Sequence, residues 1–164
     1  GQLTDIGAEV TLLWNEDFYA QFCPLVLSRN ACQLGYVNLD PEFQALLRGA
    51  LLEQVRVEHQ DLSSEIDHQH MESTIHLFTQ TLTGNCRQVG KMIENTTEQT
   101  PGLVSSYQDL WRYTLVNYHA GAGCLAEAMD NLAQDEQALN WQNISRELND
   151  YCPAAVEYVE TITR

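Results

Sequence analysis

The apolar residues of this chain recur at steps of three and four, and no stretch of convincing length alternates between apolar and polar side chains. A period near 3.6 residues places side chains on one face of an α-helix, whereas a half-buried strand needs a period of two. Near the start, the pattern runs through Ile6, Val10, Leu13, Trp14 and Phe18. The sequence therefore predicts an all-helical fold.

Turn and cap residues divide the first part of the chain. The spacing predicts a helix over residues 5–20 that is interrupted near Asn15, and then a loop with a single helical turn over residues 23–38. Asp40 and Pro41 suit the N-cap and the first helical position, so they predict a helix start. This helix is expected to bury one face, formed by Phe43, Leu46, Leu47, Ala50, Leu51 and Val55.

The middle of the chain is more polar. Residues 58–72 offer few apolar side chains to bury and predict an exposed connection. Two helices are expected to follow, separated by a pause at Gly84-Asn85 and ended by residues 96–102. The buried face of the first should comprise Met71, Ile75, Phe78 and Leu82, and that of the second Val89, Met92 and Ile93.

The next helix is predicted to be the centre of the fold. Ser105 and Gln108 form a capping-box pattern at its start. Its apolar stripe consists of Leu110, Trp111, Thr114, Leu115 and Tyr118. Periodic segments at residues 125–132, 141–148 and 154–162 complete an expected set of five to eight helices.

Length and charge narrow the class of protein. A chain of 164 residues has the usual size of one domain, so we expect a single domain over residues 1–164. The net charge of -15 argues against a nucleic-acid partner, which needs a basic surface. No apolar window approaches the length of a membrane span, so membrane insertion is not expected. The polar run from Gln2 predicts no targeting peptide within the chain.

Five cysteines lack the paired C-x-x-C spacing of zinc ribbons and redox motifs, so disulfides in an oxidising compartment are the expected use. We predict pairs between Cys23 and Cys32 and between Cys124 and Cys152. Cys86 is then left as a free thiol, an intermolecular bond, or the partner of a cysteine in another segment.

Residues 115–123, Leu-Val-Asn-Tyr-His-Ala-Gly-Ala-Gly, resemble the A-Y-N-A-G-P-G signature of soluble lytic transglycosylases in the lysozyme superfamily, with His119 and Ala122 in place of Asn and Pro. The opening residues 1–8 resemble the end of the family's G-L-M-Q-L signature, with Gln2 at the position of its glutamine. The tail, with Trp141 and the closing run from Pro153, resembles the family's last helices. Residues 21–105 match poorly and are predicted to be a divergent or inserted region.

The resemblance implies a lysozyme-like helical lobe that cleaves the MurNAc–GlcNAc linkage of peptidoglycan outside the cytoplasm, in the periplasm or the cell envelope. It implies that Gln2, Tyr118 and His119 contribute to the substrate site and that Gly121 and Gly123 shape the turn. In the family the catalytic acid is a glutamate in an E-S dipeptide that precedes the glutamine signature. We therefore expect the acid in an upstream segment or a partner chain and expect this chain alone to be inactive.

Three alternatives remain open at this stage. A second register aligns residues 79–84 with the glutamine signature and makes Glu58 the acid, but it places His59 where the family has serine. The protein could also be a non-catalytic wall-glycan-binding module or a structural subunit of an extracellular assembly. Metal-ligand residue types cluster at Glu65, Asp67, His68, His70, Glu72 and His76, but without an H-E-x-x-H motif a solvated acidic loop is favoured. We expect no metal and no cofactor.

Overall fold

In the computed structural model, which describes residues 3–55 and 68–163 (the side chains of residues 68–70 apart), the chain is helical and the described residues contain no strand. The all-helical prediction is confirmed. The chain folds as two compact units, Gly1–Gly84 and Asn85–Arg164. Whether the chain is one domain over residues 1–164 stays a prediction.

The first unit contains four α-helices, one 3-10 helix and the start of a fifth α-helix. They are α1 (Asp5–Trp14), α2 (Glu16–Val26), α3 (Arg29–Cys32), the 3-10 helix Tyr36–Asn38, α4 (Pro41–Glu53) and the first part of α5 (His68–Thr97). The core side chains are Ala8, Leu12, Phe18, Tyr19, Phe22, Cys23, Tyr36, Leu39, Leu47, Leu51 and Leu77.

The predicted break near Asn15 is confirmed, because this residue ends α1 and caps α2. Its side-chain oxygen accepts a hydrogen bond from the Phe18 backbone N–H at 3.4 Å. Its Nδ2 group donates to the Gln80 side-chain oxygen at 2.8 Å and to the Gln80 backbone carbonyl at 3.2 Å. The break is therefore held by hydrogen bonds to α5.

The prediction of a loop over residues 23–38 is wrong in part, since α2 runs on to Val26 and α3 and the 3-10 helix follow. Pro24 is tolerated in the last turn of α2, where only one helical hydrogen bond is lost. The predicted Cys23–Cys32 disulfide is present and joins α2 to the end of α3.

The predicted apolar faces of α4 and of the first part of α5 are also wrong in part. α4 begins at Pro41 as predicted, but Phe43 and Leu46 are exposed. On α5, Met71, Ile75 and Phe78 are likewise exposed. The buried positions of that part of α5 are Leu77, Thr81 and Gly84.

The predicted pause at Gly84-Asn85 does not occur, because α5 is one continuous helix of 30 residues that already begins within the predicted connection. Gly84 instead allows a close approach of two helices. A Cβ atom there would lie 3.0 Å from the Val10 carbonyl oxygen and 3.3 Å from the Thr11 Cα atom. Beside it, the Thr11 hydroxyl donates to the Thr81 hydroxyl at 3.0 Å. Small and polar residues thus form this contact between α1 and α5.

The second unit contains the rest of α5 and five further helices: α6 (Pro101–Val104), α7 (Tyr107–Ala120), α8 (Ala122–Gln134), α9 (Trp141–Tyr151) and α10 (Pro153–Ile162). The described residues therefore form ten α-helices, rather than five to eight, because short helices such as α3 and α6 form in predicted loops. The second core consists of Val89, Ile93, Tyr113, Leu115, Val116, Leu125, Ala128, Met129, Leu132, Leu139, Ile144, Leu148, Ala155, Val156 and Val159.

The prediction that α7 is central is confirmed for this unit, since it packs against α8, α9 and α10. Its cap is one residue later than predicted. The Ser106 hydroxyl accepts from the Asp109 N–H at 3.2 Å, whereas the buried Ser105 hydroxyl donates to the Leu139 carbonyl at 2.9 Å. Trp111 is partly exposed rather than buried and meets the ring of Tyr107 edge to face.

The second predicted disulfide, Cys124–Cys152, is present in this unit and joins the first turn of α8 to the residue between α9 and α10. Cys86 on α5 is exposed and carries a free thiol. Two disulfides are compatible with an extracellular protein. Among the described residues, none of the helices combines the length and the apolar character that crossing a bilayer requires.

Candidate functional site

The residues of the transglycosylase-like signature span the C-terminal end of α7, the turn at Gly121 and the first two residues of α8. The preceding turn is buried without interruption from Tyr113 to Asn117. The chain reaches the surface over the next two residues, because Tyr118 is partly buried and His119 is exposed. The buried second half of α7 therefore presents two ring side chains at its end.

A third ring joins them from the last helix. The imidazole of His119 stacks on the phenol ring of Tyr158 in α10, with ring centroids 4.2 Å apart and planes only 7° from parallel. We call Tyr118, His119 and Tyr158 the aromatic cluster. The tail from Pro153 resembles the family's last helices, but the sequence did not indicate that Tyr158 stacks on His119.

The two tyrosines of the cluster share a weakly solvated setting. Burial raises the pKa of Tyr118, and the neighbouring Tyr158 phenol raises it further. Burial also raises the pKa of Tyr158. Both phenols are therefore neutral near pH 7 and can donate as well as accept a hydrogen bond.

The cluster is held by the Cys124–Cys152 disulfide. Cys152 directly precedes α10, the helix that carries Tyr158, and Cys124 directly follows the signature. The Tyr151 hydroxyl donates to the Cys124 carbonyl at 3.4 Å, which adds a second link at the same junction. A covalent bond and a hydrogen bond thus fix α10 beside the end of α7.

The two glycines of the signature differ in conformation. Gly121 ends α7 with φ 84°, a value that favours glycine, and its N–H donates to the Asn117 carbonyl at 2.9 Å. Gly123 lies in the first turn of α8, and a Cβ atom there would meet open space. Gly121 therefore makes the turn. The backbone conformation of Gly123 does not require a glycine, so its expected part in shaping the turn has no structural basis here.

A polar cluster around the buried residue Asn117 was not predicted. The amide nitrogen of Asn117 donates to the side-chain oxygens of Asn85 and Gln88, each at 2.8 Å. Asn117 is 3% exposed, and its own side-chain oxygen has no hydrogen-bond partner in the part of the chain that the structure describes. The only sequence signal was a polar residue next to Tyr118 within an apolar stripe.

The sequence predicted two further site residues outside the aromatic cluster. Gln2 and the alternative acid Glu58 lie outside the described residues. Other carboxylates on the helices have structural contacts: Asp109 accepts from Arg112 at 3.2 Å and from the Ser106 hydroxyl at 2.8 Å, and Glu94 pairs with Lys91. Glu147 lies 4.0 Å from Arg146. No catalytic acid is assigned.

The structure describes only some of the residues considered as metal ligands. Glu65 and Asp67, and the side chains of His68 and His70, lie outside the described part. Within that part, no group of three or more His, Cys, Asp or Glu side chains could hold a metal ion. His76 instead lies 3.2 Å from the Gln80 amide nitrogen.

Comparisons with protein-family models, with curated proteins and with solved structures gave no match to this chain. The resemblance to lytic transglycosylases therefore rests on the sequence motifs alone.

Proposed function

We propose that this chain is part of a peptidoglycan lytic transglycosylase and contributes its aromatic cluster to binding of the glycan strand. The observation that carries the proposal is the coincidence of the signature with a partly exposed ring surface. Tyr118 and His119 follow the buried turn of α7, which ends at Gly121, and Tyr158 stacks on His119.

Such a surface suits a glycan for two reasons. Tyrosine rings offer an apolar body against which the C–H face of a sugar can pack, together with a hydroxyl for hydrogen bonding. Neutral phenols suit a sugar, whose many hydroxyl groups both donate and accept. The expected partner is therefore peptidoglycan, with no cofactor and no metal in the reaction.

The chemistry that the proposal implies uses one carboxylic acid in two steps. The acid first protonates the glycosidic oxygen between MurNAc and GlcNAc, so that the bond from this oxygen to C1 of MurNAc breaks and GlcNAc leaves with a free 4-hydroxyl. The carboxylate then removes the proton of the muramyl 6-hydroxyl as that oxygen closes on C1 to form a 1,6-anhydro sugar. General acid catalysis of this kind contributes ~10²–10⁴ in rate. The aromatic cluster supplies binding and not the proton, so a separate glutamate is required.

Binding of soluble peptidoglycan strands to the purified chain tests the role of the cluster. Tyr158→Ala and His119→Ala should each weaken binding by roughly 2- to 10-fold, as expected for the loss of one aromatic contact. Tyr107→Ala is the control, because Tyr107 is an exposed tyrosine of the same unit whose ring meets that of Trp111 outside the cluster. Equal effects of all three variants, or binding that none of them changes, would remove the support for this site. Strand binding that depends on the cluster, without cleavage by the parent protein, would favour a wall-glycan-binding module instead.

A further inference from the structure

A cavity of about 550 Å³ lies in the first unit, between α1, α2, α3 and the 3-10 helix. Protein pockets for small molecules have volumes of ~300–1,000 Å³, so the cavity is large enough for one. It belongs to neither the transglycosylase-like signature nor the aromatic cluster.

The walls are mainly apolar. Leu12 and Leu13 of α1, Tyr19 and Pro24 of α2, and Tyr36 of the 3-10 helix form them. The two tyrosine rings meet edge to face, with centroids 6.3 Å apart. Such walls suit an aliphatic or aromatic side chain of a ligand.

The cavity is fixed by contacts on both sides. The Cys23–Cys32 disulfide joins α2 to α3, and the Tyr19 hydroxyl donates to the Cys32 carbonyl at 3.2 Å. Behind the opposite wall, Arg48 donates to the Tyr36 hydroxyl at 2.9 Å. A ligand therefore meets a largely preformed site, and this lowers the entropic cost of binding.

Two opposite charges line the same cavity. Glu16 stands at the start of α2 and Arg29 at the start of α3, and both residues are exposed. Within the described residues, neither of these side chains forms an ion pair or a hydrogen bond. A ligand that carries both an ammonium group and a carboxylate can pair with both groups, whereas a ligand with one charge gains only one such pair.

We propose that this cavity binds an apolar amino acid or a short apolar peptide with free termini. The ammonium group pairs with Glu16, the carboxylate pairs with Arg29, and the apolar side chains occupy the space between α1, α2 and the 3-10 helix. This proposal is independent of the glycan site, which lies in the other unit.

Four forms of one peptide probe the charge requirement. The dipeptide Leu-Leu is titrated into the ¹⁵N-labelled chain and followed by amide chemical shifts, beside its N-acetyl form, its C-terminal amide and the doubly blocked form. Free Leu-Leu should bind most tightly, and blocking either end should weaken binding roughly 2- to 5-fold, as expected for one exposed ion pair. The shifts should concentrate on residues around the cavity.

Matched variants locate the two contacts. Glu16→Gln should abolish the cost of acetylating the amine and leave the cost of amidation, whereas Arg29→Gln should do the reverse. Ala20→Leu places a larger side chain in the cavity, because Ala20 is an exposed lining residue, and should weaken Leu-Leu binding at least tenfold. Ala133→Leu, at an exposed position of α8, should leave binding unchanged.

Several results would overturn the proposal. It fails if the blocked peptide binds as well as the free one, if a fatty acid binds the cavity more tightly than Leu-Leu, or if no cavity residue shifts at millimolar peptide. If Ala20→Leu does not fold, as judged by circular dichroism, the two charge variants still decide the question.

Discussion

Gly84→Ala should destabilise the protein, although alanine is the better helix former. An alanine in a helix interior gains about 0.5–1 kcal/mol over glycine. At Gly84, however, the added Cβ would lie 3.0 Å from the Val10 carbonyl oxygen and 3.3 Å from the Thr11 Cα atom. These are backbone atoms of α1 and cannot move without shifting the whole helix. Overpacking of this kind costs about 1–3 kcal/mol.

Gly49→Ala is the matched control for this effect. Gly49 lies within α4 and is exposed, and a Cβ atom there would meet nothing within 4 Å. This variant should therefore gain the full ~0.5–1 kcal/mol of helix propensity. Because the propensity gain is common to both variants, the difference between their free energies of unfolding isolates the cost of the contact, about 1–3 kcal/mol.

Urea unfolding followed by circular dichroism measures both variants. The urea midpoint should rise above that of the unmutated chain for Gly49→Ala. For Gly84→Ala it should fall below that of the unmutated chain. If Gly84→Ala gains as much stability as Gly49→Ala, the close approach of α1 to α5 is wrong, and the helix packing described for the first unit must be abandoned.

Three further perturbations test the fold. Removing the Cys124–Cys152 disulfide, whose cysteines are 28 residues apart, should lower the free energy of unfolding by about 3.6 kcal/mol. Removing Cys23–Cys32, whose cysteines are 9 residues apart, should lower it by about 2.6 kcal/mol. Equal losses in denaturant midpoints would contradict the loop-entropy argument. Burial raises the pKa of Tyr151 from 10.0 to about 12, and repulsion from Glu127, Glu147 and Asp150 adds to the shift. The stability that the neutral phenol contributes is therefore present below pH 10 and is lost as the pH rises to about 12. Tyr151→Phe should reduce that loss in thermal melts from pH 8 to 12, and an unchanged pH profile would argue against the shift. Asn117→Ala leaves the Asn85 and Gln88 oxygens without this donor and should cost about 1–3 kcal/mol in urea unfolding, whereas a neutral result would mean that the buried cluster is not formed.

The sequence predicted the helical class, the break at Asn15 and both disulfides, because each depends on local spacing or on cysteine count. It failed where tertiary contacts decide which face of a helix is buried. At Gly84 the glycine permits a close helix contact and does not interrupt α5. On the same helix, Leu77 and Thr81 are buried while Ile75 is exposed, which periodicity alone could not indicate.

The candidate site was predictable only in part, for a similar reason. Tyr118 and the turn at Gly121 follow from a local motif, and the structure places them at a helix end. The stack between His119 and Tyr158 joins residues 39 positions apart in the chain, and the Asn117 cluster joins α7 to α5. Such contacts depend on how helices pack and leave no signal in the spacing of either segment.

Digestion of peptidoglycan by the native protein tests the central claim most directly. The protein is characterised by intact mass and N-terminal sequencing, and the digest is separated and its products identified by mass spectrometry. We predict muropeptides that end in 1,6-anhydro sugars, and a lower yield of these products from the protein that carries Tyr158→Ala. Products with reducing ends, or no products from a protein that still binds the strands, would contradict the assignment to lytic transglycosylases.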